Sequence, residues 1–299
     1  MKHKLFFYGL LLIGMVAWGG SWVNMKVISN YAISAYDVIF IRYGIATLSM
    51  IPLMFLFKKS FYLSVKNGIL VVTSALLLIL YMVCFFLGTK YGTASLGGAL
   101  VTSLIPLITF CLLSLMRVNK IGKKQFFALL LGMVGALTML NFWHLDMDKI
   151  LVIQNFYFIV AAFLWAIITI IGSKATHISS LAFTFYIYVV VSLVCGLFFV
   201  DFKSFTYEHL DSVFWLNMLL MTLGATVFTN TVYFMGVERL GAGAVSSFIF
   251  LVPFCAIALS ALFLKETISL SMILGAVIVL YAVKILNNMS FFKSHKLNH

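Results

Sequence analysis

The sequence predicts an all-α integral membrane protein whose ten transmembrane helices form two inverted five-helix repeats. Three observations predict it. First, 64% of the 299 residues are hydrophobic and 9% are charged, with mean hydropathy +1.13. A soluble domain carries about 25% charged residues, so this chain has too few to make a solvated surface. Second, the apolar runs are continuous rather than alternating, which excludes a membrane β-barrel. Third, the chain echoes itself. Phe86, Gly88 and Ala94 recur as Phe234, Gly236 and Ala242 at an offset of 148. Pro106, Leu112, Leu115 and Ile121 recur as Pro253, Leu259, Leu262 and Ile268 at 147, and Trp165 follows Trp18 by the same step. Two of only 3 prolines fall on matched positions, which points to one ancestral unit duplicated and fused.

Cutting at charges and turn residues yields spans near 5–24, 34–57, 67–88, 94–115 and 124–141 in a first repeat, residues 1–147. The second repeat, 148–299, holds 153–172, 180–200, 213–235, 242–263 and 269–287. Each run is near the 20 residues that cross the hydrocarbon. Met1-Lys2-His3-Lys4 leads straight into a run of spanning length, so no cleavable signal is expected. The net charge of +12 is dispersed between the spans, which fits topology better than nucleic-acid binding. Cys84, Cys111, Cys195 and Cys255 lie inside spans without metal-site spacing, and no Walker-type glycine loop occurs. Neither metal nor cofactor is expected.

The basic residues orient the chain. With a cytoplasmic N-terminus, the inner side carries Lys2, Lys4, Lys58, Lys59, Lys66, Arg117, Lys120, Lys123, Lys124, Lys174, Arg239, Lys284, Lys293 and Lys296. The outer side carries Lys26, Lys90, Lys149, Lys203 and Lys265, while Arg42 lies within span 2. That bias places both termini in the cytoplasm of a plasma membrane, most simply a bacterial inner membrane. Five spans per repeat is an odd number, so the second repeat must enter upside down. Inverted repeats of this kind give transporters their two faces, with substrate held near the midplane.

Ala17-Trp18-Gly19-Gly20-Ser21 with Lys26, Arg42 in span 2, the small residues before Pro106 and Pro253, and Leu264-Lys265-Glu266 leading to Gly275 together resemble the EamA-type drug/metabolite transporters. The resemblance covers both repeats. It implies ten helices, alternating access and a central cavity lined mainly by helices 1, 3, 4, 6, 8 and 9. It also implies export of amino acids, movement of metabolites or expulsion of drugs, without choosing among them. Asn119 stands where the family often has a Glu matching Glu266, so the carboxylate has no symmetric counterpart.

Span 8 carries Thr222, Thr226, Thr229, Asn230 and Tyr233 on one stripe, with Ser74 and Tyr81 as a thinner counterpart on span 3. The stripe fits a water-filled cavity or interhelical hydrogen bonding; five polar groups exceed what packing needs. Trp18 and Trp165 lie past mid-depth, away from the interfacial belts, as stacking or cation–π partners for substrate or as core bulk. Ser21 and Trp22 lie one turn beyond Trp18, and Thr169 one turn beyond Trp165. Pro106 and Pro253 are expected near the centres of spans 4 and 9. With Gly97 and Gly243 before them, they form either gate hinges or structural kinks. Arg42, roughly 12 Å from the outer end at 1.5 Å per residue, should face the bundle or a wet cavity. Glu266 is the charge left to assign.

The expected substrate is a small neutral or zwitterionic metabolite, amino-acid-like, exported or exchanged. A multidrug or cationic-metabolite transporter of the same fold is the alternative. An intramembrane lipid-modifying enzyme would need acid–base residues clustered at one interface, whereas His144, His209 and the outer acids are scattered. The partners are then a small-molecule substrate and membrane lipids, with no nucleic acid, in a monomer or homodimer. Tags fused at both ends should be labelled only from the cytoplasmic side of intact cells. A C-terminus labelled from outside would require an odd number of spans and end the inverted-repeat argument.

Overall fold

The computed structural model describes residues 2–116, 122–140, 152–202, 209–240 and 247–290, and every regular element among them is helical. The first half supplies α1 (Lys2–Ser29), α2 (Ala35–Leu56), α3 (Val65–Tyr91), α4 (Ala94–Leu115) and α5 (Lys123–Met139). The second supplies α6 (Ile153–Gly172), α7 (Ser180–Phe198) and α8 (Ser212–Leu219), which runs through a π-helical stretch (Leu220–Phe228) into α9 (Thr229–Leu240). A 3-10 stretch (Ser247–Leu251) then leads to α10 (Val252–Leu264), followed by α11 (Leu270–Ser290). Several starts are set locally. Ser34, Ser64, Thr93, Ser179 and Asp211 each accept a side-chain hydrogen bond from the N–H three residues on. Each such cap satisfies a donor the helix leaves free.

Seven described helices are long and apolar enough to cross a membrane: Phe6–Ser29, Ala35–Leu56, Val65–Tyr91, Ala94–Leu115, Ile153–Gly172, Ser180–Phe198 and Ser212–Tyr233. Phe248–Leu264 and Leu270–Ile285 are shorter apolar helices. Two expectations need correction. Span 8 is not one regular α-helix, because nine residues take π geometry. Pro253 is not mid-helix: it sits in the first turn of α10, where its missing N–H costs no helical bond. Pro106 does lie inside α4. Gly243 lies outside the described residues.

Neighbouring helices respect the duplication. α1 packs on α10 and on the π stretch with α9, and the corresponding α6 packs on α4 and α3; α2 pairs with α7, and α5 with α11. Contacts at the helix ends give the directions. α1 ends beside the α3–α4 turn, where Lys26 meets the carbonyls of Thr89 and Gly92. α6 begins there, with Gln154 against Gly92, and finishes at the far end, where Asn67 donates to the Thr176 carbonyl. α2 starts and α7 finishes at one level, with Tyr36 stacked on Phe199 at 4.5 Å. α1 and α6, like α2 and α7, therefore run in opposite senses, as an inverted repeat requires.

Glycines set the closest approaches. A Cβ on Gly19 would lie 2.5 Å from Cys255 Cβ, and one on Gly98 would collide with Ala256 Cβ, so α10 is gripped between α1 and α4. Gly135 and Gly275 face each other. A Cβ on Gly135 would stand 2.9 Å from the Gly275 carbonyl oxygen, and one on Gly275 would stand 2.6 Å from that of Gly135. Without a hydrophobic drive between helices in lipid, such approach supplies packing and dispersion instead. Gly98→Val and Gly135→Ala should each lower stability by about 1–3 kcal/mol through overpacking. Gly9→Ala, with nothing within 4 Å, should not. Thermal unfolding midpoints in detergent will separate the three.

Candidate functional site

The polar groups of the bundle converge where α2, α3, α7 and the π stretch meet. Arg42, on α2, is 8% exposed. Its Nε and Nη2 both donate to Thr226 Oγ1, at 3.1 and 2.8 Å, and Nη1 reaches Met82 Sδ at 3.5 Å. Thr226 Oγ1 in turn donates to the Met221 carbonyl five residues back, at 3.1 Å. Thr229 does the same to Gly224, at 2.8 Å, while touching the Gly14 carbonyl of α1 at 3.2 Å. These hydroxyl bonds share the i−5 spacing of the π register, in which the Thr229 N–H also reaches the Gly224 carbonyl; single π segments inside helices often mark functional sites.

Around the guanidinium lies an aromatic shell. Its Cζ is 5.6 Å from the Tyr43 ring centroid, within cation–π range. Tyr43 packs on Tyr188 at 4.9 Å, and Asn230 Nδ2 donates to Tyr188 Oη at 2.6 Å. Two further pairs flank this group: Tyr81 with Trp165 at 4.7 Å, and Trp18 with Tyr233 at 5.6 Å. Trp18, Tyr81, Trp165, Asn230 and Tyr233 remain partly exposed, although all lie on spanning helices. Each matched Trp therefore meets a Tyr from the helix facing it, α1 on α9 and α6 on α3.

The other expected residues are placed differently. Trp22 is 3% exposed and packs on Phe85 at 4.3 Å and Phe158 at 6.0 Å, close over Gly97 and Gly98. Ser21 donates to the Trp18 carbonyl at 2.6 Å, and Thr169, exposed, to the Trp165 carbonyl at 2.8 Å. Ser74 and Thr222 are fully buried with no hydrogen-bond partner among the described residues. Sequence pattern alone did not single out Tyr43, Tyr188 or Met82. Tyr43 adjoins Arg42, but Tyr188, one of several hydroxyl-bearing residues on its span, carried no signal of its own.

Glu266 and Lys26 sit elsewhere, at the end of the bundle where α3 turns into α4. Lys26 Nζ donates to the carbonyls of Thr89, Lys90 and Gly92 at 2.7, 3.1 and 2.7 Å, capping α3. Glu266 accepts from the N–H groups of Ala94 and Ser95 at 2.8 and 2.9 Å, capping α4. Each charge meets the helix terminus of opposite polarity. Lys265 makes this possible by taking a left-handed conformation (φ 54°), which ends α10 and turns Glu266 back. At the same level, the Tyr31 hydroxyl donates to Asp211 Oδ1 at 2.5 Å, and this bond holds the Asp211 carboxyl below its ordinary range. Three potential ligands (His, Cys, Asp or Glu) come together nowhere among the described residues.

A model of the EamA-like transporter family matches residues 5–141 and again 152–288. The chain is 28% identical over 235 residues to a Bacillus subtilis (strain 168) protein named "Uncharacterized transporter YetK", covering 76% of this chain and 70% of that one. A solved crystal structure 14% identical in sequence superposes with a TM-score of 0.60 over 97% of this chain and 99% of its own. That last likeness concerns the fold. Glu266→Ala should cost about 1.5–3 kcal/mol, the range for hydrogen bonds to a charged group, with Glu266→Gln falling between it and the parent. Unfolding midpoints measured in detergent check this.

Proposed function

This chain belongs to the EamA-like transporter family, and from that premise we propose that it moves a small neutral or zwitterionic, amino-acid-like metabolite by alternating access. The observation that carries this reading is the group of partly exposed Trp18, Tyr81, Trp165, Asn230 and Tyr233 around the Arg42–Thr226 contact. Rings and an amide deep in a lipid-spanning bundle are suited to a compact amphipathic molecule. A sugar nucleotide, with two phosphates, would want several cations there. Arg42 is the one cation buried in this region among the described residues.

The transport cycle rocks one half against the other about a midplane site. Ten spans, both termini in the cytoplasm and a bacterial inner membrane complete the proposal, in a monomer or homodimer. The mid-span polar contacts described above involve no carboxylate, which supports export by facilitated diffusion or exchange rather than a proton relay. Pro106 in α4, Gly97 beside Trp22 and the 3-10 to α-helix junction at Pro253 are the proposed flexing points.

Purified protein in liposomes should exchange radiolabelled amino acids across a panel of neutral side chains. Efficient transport of a nucleotide sugar instead would refute the reading. Asn230→Ala should weaken apparent affinity roughly 2- to 13-fold, the equivalent of a net hydrogen bond of about 0.5–1.5 kcal/mol. Trp18→Ala and Trp165→Ala should show larger defects of similar size to each other. Leu219→Ala, 40% exposed on α8, is the control. Rates are normalised to folded protein, so that a variant lost to misfolding counts for packing, not for substrate contact.

A further inference from the structure

Arg42 has more donors than its surroundings have acceptors. A guanidinium carries five N–H groups. Nε and Nη2 spend one each on the same oxygen, Thr226 Oγ1, whose own hydrogen goes to the Met221 carbonyl. Nη1 spends one on Met82 Sδ, a weak thioether acceptor at 3.5 Å. Two N–H groups remain, one on each terminal nitrogen, with no partner among the described residues. No described carboxylate forms an ion pair with the group; Asp37, one turn away on α2, is engaged in the capping box of Ser34. A charge held inside a bilayer without a counter-ion is costly, and such residues mark substrate or ion sites by default.

We propose that Arg42 receives the carboxylate of the transported molecule, its two free N–H groups facing the two carboxylate oxygens. The inference rests on the transporter reading above and narrows its substrate to a monocarboxylate. Two N–H donors, one on each terminal nitrogen of a planar cation, match a carboxylate's two oxygens in number. A phosphate monoester brings a further charge, and no second buried cation of the described residues is present to meet it. The neighbours complete a zwitterion site. Asn230 lies one turn beyond Thr226; its Nδ2 is engaged with Tyr188 Oη, which leaves its carbonyl oxygen for an ammonium. Tyr188 packs on Tyr43, and Tyr43 lies under the guanidinium, so these contacts link Arg42, Tyr43, Tyr188 and Asn230 in one cluster.

The test uses the full-length protein in liposomes and in detergent, with L-leucine and L-phenylalanine, their carboxamides, the amines lacking the carboxyl carbon, and inorganic phosphate. The wild type should prefer each amino acid over its carboxamide and amine by roughly 10- to 100-fold, the range expected of charged hydrogen bonds. Arg42→Gln and Arg42→Lys should erase that preference by weakening the amino acids far more than the carboxamides, since neither replacement restores the fork. Equal affinity for amino acid and carboxamide in the wild type overturns the proposal, as does phosphate competing as well as the amino acids. Retention of the preference by Arg42→Gln overturns it too. If the variants do not fold, the wild-type comparison alone decides. Flux without discrimination removes this inference and leaves the transporter reading standing; neither flux nor binding of any probe removes both.

Discussion

Inside a bilayer no water is at hand to complete a hydrogen bond, so every irregularity of the backbone must be closed by the protein itself. Much of this architecture follows from that constraint. In the π stretch the Thr226 and Thr229 hydroxyls bond back to carbonyls five residues earlier, and Arg42 is seated by the first of those hydroxyls. The α3–α4 turn, where one helix ends and another begins within a few residues, exposes acceptors and donors together. Lys26 and Glu266 close the two sets from α1 and from the end of α10. Charges that look like exceptions on a hydropathy plot are thus the terms that make broken helices tolerable.

The same contacts join the halves. Lys26 belongs to the first repeat and serves its own turn, whereas Glu266 reaches that turn from the second. Arg42 crosses from the first repeat to the π stretch of the second. Around these fixed crossings, the paired rings of Trp18 with Tyr233 and Trp165 with Tyr81 repeat one motif on the two sides. Among the described residues, symmetry is kept in the rings and broken at these crossings: Arg42, the π stretch and Glu266 each have no matching feature in the other repeat. An asymmetric molecule bound between symmetric walls needs some such difference to settle in one orientation.

Composition and periodicity were enough to read an all-helical membrane chain, and matched Pro, Trp and Gly at 147 or 148 residues were enough to read the duplication. Those signals are local or repeat within the chain. What escaped depends on partners distant in sequence. Trp18 and Trp22 sit four residues apart on one helical face, yet Trp22 is buried because Gly97 and Gly98 let it close against α4, while Trp18 stays partly open. Lys26 reads only as one of the outer-side basic residues until the carbonyls 63 to 66 residues on are found beside it. Pro253 matches Pro106 in the sequence but not in the helix, since a shared residue does not oblige the preceding backbone to share its conformation. The five-residue hydrogen bonds of span 8 have no signature in a spacing of three and four.

The facing glycines of α5 and α11 carry a consequence for descent. After a gene duplicates and fuses, each copy is free to drift so long as its own packing survives. At Gly135 and Gly275 that freedom is withdrawn, because the room each residue leaves is filled by the carbonyl of the other. Neither can gain a methyl group unless the opposite backbone retreats, and a backbone cannot retreat by changing one codon. The contact therefore ties the two positions to each other, so that neither half of the chain can change there without the other half making room.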